Sequence, residues 1–283
     1  MLEELRWDKG KVKCMHCDSE NVVCNGTKDG HQRYLCKDCG RFFNITTGTI
    51  FANSNMQLNE WFYIARELQR GISINQISKE LGRSYQHVMH AAHKIMDSVF
   101  MKRLIELTGE DIEVDEMYQS AGQKGKKCND REPRKRGLKL RGRGMYAKDK
   151  PPIVAAVSRD GKTVIEVFKN LCRDNMDAFL YLITGRFIHT DDFRIYRHLD
   201  ESDMCMHESV NHSNKRYAEC YKHSNTVEGM FGDLRTWLRR YKGVCKDKLY
   251  RFVSLFQFNY NHREMSPMNK FISLMNTTIS HIR

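Results

Sequence analysis

Asp111–Tyr118 reads DIEVDEMY, a run in which Ile112, Val114 and Met117 interleave with Asp111, Glu113, Asp115 and Glu116. Over Asp111–Asp115 the alternation has the period of a strand, so one face is apolar and acids share the other. Carboxylates crowded on one face repel, and hard oxygen ligands of this kind suit Mg²⁺ or Mn²⁺. A solvated sheet edge is the plainer use of the same pattern. A second set of chemistry-bearing residues lies near the N-terminus. Cys14-x-x-Cys17 and Cys36-x-x-Cys39 are separated by 18 residues, the spacing of two knuckles that close a tetrahedral Zn²⁺ site. Four thiolates leave no open coordination position, so the expected zinc is structural, with His16 and Cys24 as bystanders.

At 283 residues the chain can hold one sizeable core and smaller modules. Its 47 Lys and Arg against 35 Asp and Glu give a net charge of +12, which favours a polyanionic partner. Nucleic acid fits better than a membrane, because no apolar run approaches the roughly 18 residues of a spanning helix. The first residues, MLEELRWDKG, are too charged for a signal peptide. Ten cysteines, four in the two tight pairs and six scattered, fit metal binding in a reducing compartment better than a disulfide scaffold. The cytosol or nucleus is the expected location.

These sites need elements to position them. Residues 1–45 read as a zinc ribbon, with Asn21–Leu35 as a short hairpin. Lys11, Lys13, Lys28, Arg33, Lys37 and Arg41 surround the knuckles, to touch phosphate or to keep a small module soluble. A connector follows over Arg41–Met56, and residues 46–107 carry helical periodicity. Trp61, Ile64, Ala65 and Leu68 share one face until Gly71. Ser73-x-x-Gln76 is a capping box for a second helix containing Ile74, Ile77 and Leu81. After Gly82, Ser84 caps a third with Val88, Ala91, Ile95 and Val99 inside. Three short helices with a glycine turn before the last predict a helix-turn-helix. Arg83, Ser84, Tyr85, Gln86 and His90 then front the recognition helix, where Gln and Arg reach base edges and Tyr and Ser suit phosphate. A three-helix bundle with a polar face is the simpler alternative.

The catalytic-type domain is expected over residues 108–265. Residues 119–150 hold almost no apolar side chains but contain Lys124, Lys126, Lys127, Arg131, Arg134, Lys135, Arg136, Lys139, Arg141 and Arg143. Such a block cannot bury a core and is expected to be a loop that meets phosphate. Pro152–Ser158 suits a buried strand, Asp160-Gly161 a turn and Thr163–Phe168 the returning strand. Asn175–Ile183 reads as a helix, Arg186–Thr190 as a strand ending in Asp191-Asp192, and Met204–Val210 as a further strand. In His223–Lys242 the stripe Val227, Met230, Phe231, Leu234, Leu238 and Tyr241 predicts a helix with Ser224 as N-cap. Asn225 and Glu228, three apart, project from a neighbouring face. Lys248–Arg263 continues as an amphipathic helix whose aromatics are core, and residues 266–283 form a C-terminal tail. The order βββαβαβα is that of an α/β domain of the ribonuclease H type, a mixed sheet with helices.

The sequence resembles insertion-sequence transposases of the DDE superfamily, in the subgroup that joins a zinc ribbon and helix-turn-helix to a core with an Asn-x-x-Glu third element. Eukaryotic Merlin-type transposases are relatives. The resemblance rests on the two CxxC pairs, Thr47-Gly48-Thr49-Ile50-Phe51, Gly71-Ile72-Ser73, Glu113-Val114-Asp115-Glu116, Thr190-Asp191 with Tyr196, and Asn225-x-x-Glu228-Gly229. It runs from Cys14 to about Arg263. It implies a catalytic triad of Asp115, Asp191 and Glu228, the last two 37 positions apart, close to the mid-thirties spacing of such enzymes. Asp191 is preferred to Asp192 because it directly ends the strand and shares a face with Phe187 and His189. Asn225 matches an additional polar position that orients water or phosphate, a helix cap being its alternative.

The implied activity is metal-dependent cleavage at the element end, followed by transfer of the freed 3′-hydroxyl into target DNA. Two Mg²⁺ or Mn²⁺ ions about 3.5–4 Å apart would supply the nucleophile and stabilise the leaving oxygen. The implied partners are double-stranded DNA, as terminal inverted repeats and target, and further copies of the chain in a homodimer or larger assembly. The implied location is the nucleoid in a prokaryote or the nucleus for a eukaryotic element. His207, His212 and His223 are expected to be buried or to touch phosphate rather than to bind metal. A DNA-binding regulator with a non-catalytic back domain, and a nuclease without strand transfer, are the competing functions.

Overall fold

The computed structural model describes residues 2–7, 11–28, 30–122, 143–191, 195–196, 206–210 and 225–279, with only the backbone described at 208–210 and 225. The chain divides into two compact units, Met1–Lys102 with Met265–Arg283, and Arg103–Glu264.

In the first unit, helix α1 (Leu2–Arg6) precedes a three-stranded antiparallel sheet of β1 (Val22–Lys28), β2 (His31–Cys36) and β3 (Phe42–Asn44). The third strand lies where the connector was expected, Phe43 pairing with Tyr34 and Phe42 with Leu35. Tyr34 stacks on Phe43 at 5.4 Å and meets Trp7 edge-on at 5.6 Å. These rings supply an apolar centre to a module too small to build one from aliphatics.

Three helices follow, α2 (Leu58–Gln69), α3 (Ile74–Glu80) and α4 (Tyr85–Met101). The hydroxyls of Ser73 and Ser84 accept the Gln76 and His87 N–H groups, each at 3.3 Å, so both expected N-caps form. The Gln76 amide donates to Glu80 and not back to Ser73, which leaves that capping box half made. At α2 it is Glu60 that reaches back, accepting the Gln57 N–H at 2.9 Å. Gly82, at φ +62°, makes the turn between α3 and α4. Trp61, Ile64, Leu68, Ile77, Val88, Ala91, Ile95 and Val99 are all buried between the helices.

The segment expected as a tail is instead a helix, Pro267–Ile279, which packs on α2 and α4 and belongs to this first unit. Leu274, Met275, Thr278 and Ile279 form its buried stripe, and Lys102 Nζ donates to the Thr277 carbonyl at 3.1 Å. That spacing is a helical face, so burying it outweighs leaving the segment loose.

The second unit contains β4 (Leu107–Tyr118), β5 (Pro152–Ser158), β6 (Thr163–Val167), α5 (Arg173–Tyr181), β7 (Ile183–Asp191), β8 (Met206–Val210), α6 (Asn225–Arg239) and α7 (Leu249–Asn261). The sheet order is β6-β5-β4-β7-β8. β4, β5 and β6 run antiparallel to one another, while β7 is parallel to β4 and β8 to β7. This is a mixed sheet with helices, as expected of the domain. All seven residues of β5 are buried, as their unbroken apolar run requires.

On β4, Ile112 and Val114 face a core shared with Met176, Phe179 and Leu180 of α5. Glu113 points to the opposite face, toward α6. β7 starts at Ile183, three residues before the expected strand. Ile183 pairs with Leu107 and is buried beside it, so tertiary contacts override the helical periodicity that had claimed it. The Asp160-Gly161 turn forms with Gly161 at φ +86°, and the Arg263 guanidinium lies where a Cβ would project. The ends of the basic segment are ordered: Gln119 N–H donates to the Pro151 carbonyl at 3.1 Å and Ala121 N–H to that of Asp149 at 3.0 Å. Among the described residues no helix is long and apolar enough to cross a membrane.

Candidate active site and metal centres

β4 is the central strand and β7 its parallel neighbour, with Asp111 beside Phe187 and Glu113 beside His189. Continuing that register by two residues sets Asp191, the last residue of β7, level with Asp115. The opposite neighbour of Asp115 is Ala155, a residue too small to cover it. Asp115 Oδ1 turns back along its own strand to accept the Glu116 N–H at 2.7 Å. Carboxylate oxygens of Asp115, Glu116 and Asp191 lie within 4.8 Å of one another, although Asp115 and Glu116 alternate along the strand.

Glu116 is the enclosed member, with its side chain 5% exposed. Its Oε2 accepts the hydroxyl of buried Tyr196 at 3.2 Å, and Arg143 Nε stands 3.9 Å from Oε1. Burial first, then repulsion from Asp191 and Asp115, push its carboxyl up to about 7. Burial, followed by the Glu116 charge, pushes the Tyr118 hydroxyl up to about 12 and that of Tyr196 well above its usual value. Three carboxylates held this close are a donor set for a hard divalent cation, whose oxygen ligands sit at about 2.1–2.5 Å.

Asp111, four residues before Asp115 on β4, has polar partners of its own. His189 Nε2 is 3.0 Å from Asp111 Oδ1, and Arg159 lies 3.7 Å from the other oxygen of Asp111. Thr190 Oγ1 pairs with His207 Nε2 at 2.9 Å, so His207 is held by the strand that carries Asp191.

Glu228 lies on the first turn of α6, exposed, and its carboxylate is outside the 4.8 Å group. Val227, Met230, Phe231, Leu234, Leu238 and Tyr241 are buried as the stripe required. Asn225 opens the helix, but its side chain is not described, and Ser224, Asp192, His212 and His223 lie outside the described residues. The same holds for Lys124, Lys126, Lys127, Arg134, Lys135 and Arg136. Sequence reasoning singled out neither Glu116 as a member of the acidic group nor Glu113 as the residue that meets α6. Strand alternation places Glu116 on the other face from Asp115, yet their carboxylate oxygens meet at the end of the strand.

In the first unit the four cysteine sulfurs lie within 4.8 Å of one another. Cys14 Sγ is 3.6 Å from Cys39 Sγ, and Cys17 Sγ is 3.6 Å from Cys36 Sγ. Four thiolates about 2.3 Å from a tetrahedral ion stand roughly 3.8 Å apart, so the set fits one. Backbone N–H groups of Cys39 and Asp38 lower the Cys36 thiol to about 7, which favours the thiolate that a metal needs. At the start of α4, Ser84, Tyr85, Gln86 and His90 form an exposed run. Arg83 joins them in a paired geometry, its Nε and Nη2 donating to Glu60 at 2.7 and 3.1 Å.

A mixed sheet that brings acids to the matching ends of two adjacent parallel strands defines an α/β protein with a carboxylate centre. Residues 106–261 match the ISXO2-like transposase domain. Over 261 residues the chain is 35% identical to an uncharacterized protein in transposable element ISH50 of Halobacterium salinarum, covering 91% of this chain and 87% of that protein. The chain belongs to the ISXO2-like transposase family and is an insertion-sequence transposase of the DDE superfamily. Two solved structures are also similar. One is a pre-cleavage Mos1 transpososome, at 9% identity over 66% of this chain and 72% of that one. The other is a Mos1 strand transfer complex, at 10% identity over 74% and 81%. Both have TM-scores of 0.25.

Proposed function

We propose that the second unit is a metal-dependent phosphoryl-transfer centre acting on DNA and that the first unit recognises the element ends. The observation that carries this reading is the convergence of Asp115 and Asp191, from neighbouring parallel strands, into one carboxylate group. Asp115, Asp191 and Glu228 would hold two Mg²⁺ or Mn²⁺ ions, with Asn225 orienting water or phosphate and Glu116 adding charge beside them. Bound there, such ions activate the attacking oxygen at neutral pH and stabilise the leaving one. The protein's own part is placement: a central strand, a strand end and a helix start keep the acids from moving apart under their mutual repulsion. Water would cut at the element end to free a 3′-hydroxyl. That hydroxyl would then attack a phosphorus of target DNA, forming a new phosphodiester as the target strand's own 3′-oxygen leaves, with no covalent protein intermediate.

Cys14, Cys17, Cys36 and Cys39 would hold a structural Zn²⁺. Arg83, Ser84, Tyr85, Gln86 and His90 would meet the terminal repeat, and Lys124, Lys126, Lys127, Arg134, Lys135 and Arg136 the phosphate backbone. Synapsis of two ends would call for a dimer or larger assembly, working at the nucleoid or in a nucleus.

The test is to incubate the protein with Mg²⁺ and a labelled DNA end beside Asp115→Asn. Retained binding with cleavage lowered by at least a hundredfold is expected, and strand transfer into a plasmid separates a transposase from a nuclease. Equal activity, or equal inertness of wild type and variant on bound ends, would overturn the reading.

A further inference from the structure

Glu113 stands two residues before Asp115 on β4 and is 2% exposed. A carboxylate buried to that degree needs donors or a cation, because its charge is far costlier inside than in water. Here the donors come from the first turn of α6. Oε2 accepts the backbone N–H groups of Thr226 and Val227 at 2.9 and 3.0 Å, and Oε1 accepts the Thr226 hydroxyl at 2.8 Å. Those N–H groups are among the ones a helix start leaves without an intrahelical acceptor, and the anion lies at the positive end of the helix dipole. A cap of this kind usually comes from the residue just before the helix. This one comes from a strand 113 positions away. The contact that caps α6 therefore also fixes where its first turn stands against β4, and Glu228 is the residue directly after Val227.

We propose that Glu113 is a positioning residue of the metal site, pinning α6 to β4 so that Glu228 is presented to ions held by Asp115 and Asp191. The inference rests on the phosphoryl-transfer reading above. Glu113 acts through the helix: donors of α6 engage both its oxygens, Oε2 twice and Oε1 once. Amide chemistry separates this role from that of a ligand. In Glu113→Gln the amide oxygen accepts both N–H groups and the amide NH₂ donates to the Thr226 oxygen, so the pin survives, whereas a metal ligand would be lost. Glu113→Ala removes the pin altogether.

The experiment titrates Mn²⁺ into the full chain, following free Mn²⁺ by electron paramagnetic resonance, with DNA-end cleavage measured in parallel. Glu113→Ala is expected to weaken Mn²⁺ binding by about 10- to 100-fold, the range for residues that support a ligand. Glu113→Gln is expected to restore binding to within about fivefold of wild type. In Glu228→Ala the Glu113→Ala change should add little, since both remove the same ligand. Glu113→Gln as defective as Glu113→Ala would make Glu113 a ligand or base and overturn the proposal. So would wild-type Mn²⁺ binding by Glu113→Ala, or a defect that adds in full to that of Glu228→Ala.

If Glu113→Ala does not fold, Thr226→Val takes its place. It removes only the Oε1 contact and is expected to weaken Mn²⁺ binding by about two- to tenfold, the net worth of one typical intramolecular hydrogen bond; no change would overturn the proposal. Asp115→Asn tests the underlying reading separately. If that variant binds Mn²⁺ and cleaves as wild type, the phosphoryl-transfer reading fails. Faster amide exchange at Thr226 and Val227 in Glu113→Ala, but not in Glu113→Gln, would then leave Glu113 as a helix cap only.

Discussion

Glu116→Gln should flatten the pH dependence of stability in the absence of divalent cations. Glu116 is buried among Asp115, Asp191 and Tyr196, and its carboxyl is pushed up from 4.5 to about 7. With a folded-state pKa above the unfolded one, its contribution to stability is complete below about pH 4.5 and is lost as the pH rises through about 7. At about 1.4 kcal/mol per pH unit of displacement, that interval corresponds to about 3 kcal/mol. The assay is urea unfolding in chelator from pH 4.5 to 8, reading the difference between wild type and variant so that other titrating groups cancel. Wild type should lose about 3 kcal/mol relative to Glu116→Gln across this range. Millimolar Mg²⁺ at pH 8 should return most of it, because a bound cation supplies the missing counter-charge. The introduced amide would still accept the Tyr196 hydroxyl, so the substitution removes the charge with little change in packing. Parallel stability curves for the two proteins, in chelator, would refute the reasoning.

Two further outcomes follow from the first unit. Cys36→Ser removes the thiol that the Cys39 and Asp38 N–H groups hold at about 7. Bound zinc, read by atomic absorption, should fall from about one per chain to near zero, with the unfolding transition of the first unit lost or lowered. Ser84→Ala leaves the His87 N–H without its cap and should cost about 1 kcal/mol of stability, measured by denaturant unfolding.

Much of the fold was legible because local chemistry and tertiary packing agree. Ser73 and Ser84 are good caps in isolation and remain caps in the structure. The apolar run of β5 becomes a fully buried strand because the α5 core covers one of its faces and α6 packs on the strand as well. The stripe on α6 likewise sorts buried from exposed residues as its spacing requires. Where the reading stopped short, the deciding contact lies far away in sequence. Leu274, Met275 and Ile279 carry a helical stripe, but nothing in their order says that it closes over α2 and α4. Phe42 and Phe43 read as a loop until Arg33, Tyr34 and Leu35 provide a strand to pair with. In the acidic run, alternation alone predicts three acids on one face. In the folded chain the three part ways, Asp111 meeting His189, Glu113 meeting α6 and Asp115 folding back toward Glu116. Types and spacing showed that carboxylates would gather; the side-chain hydrogen bonds decide which.

Whether Asp115 and Asp191 share divalent cations is visible in a crystal grown with Mn²⁺, through anomalous scattering. Mn²⁺ peaks are expected with oxygens of Asp115 and Asp191 about 2.1–2.2 Å away, and with Glu228 drawn in from the first turn of α6. Mn²⁺ bound only elsewhere, with Asp115 and Asp191 unliganded at saturating ion, would contradict that sharing.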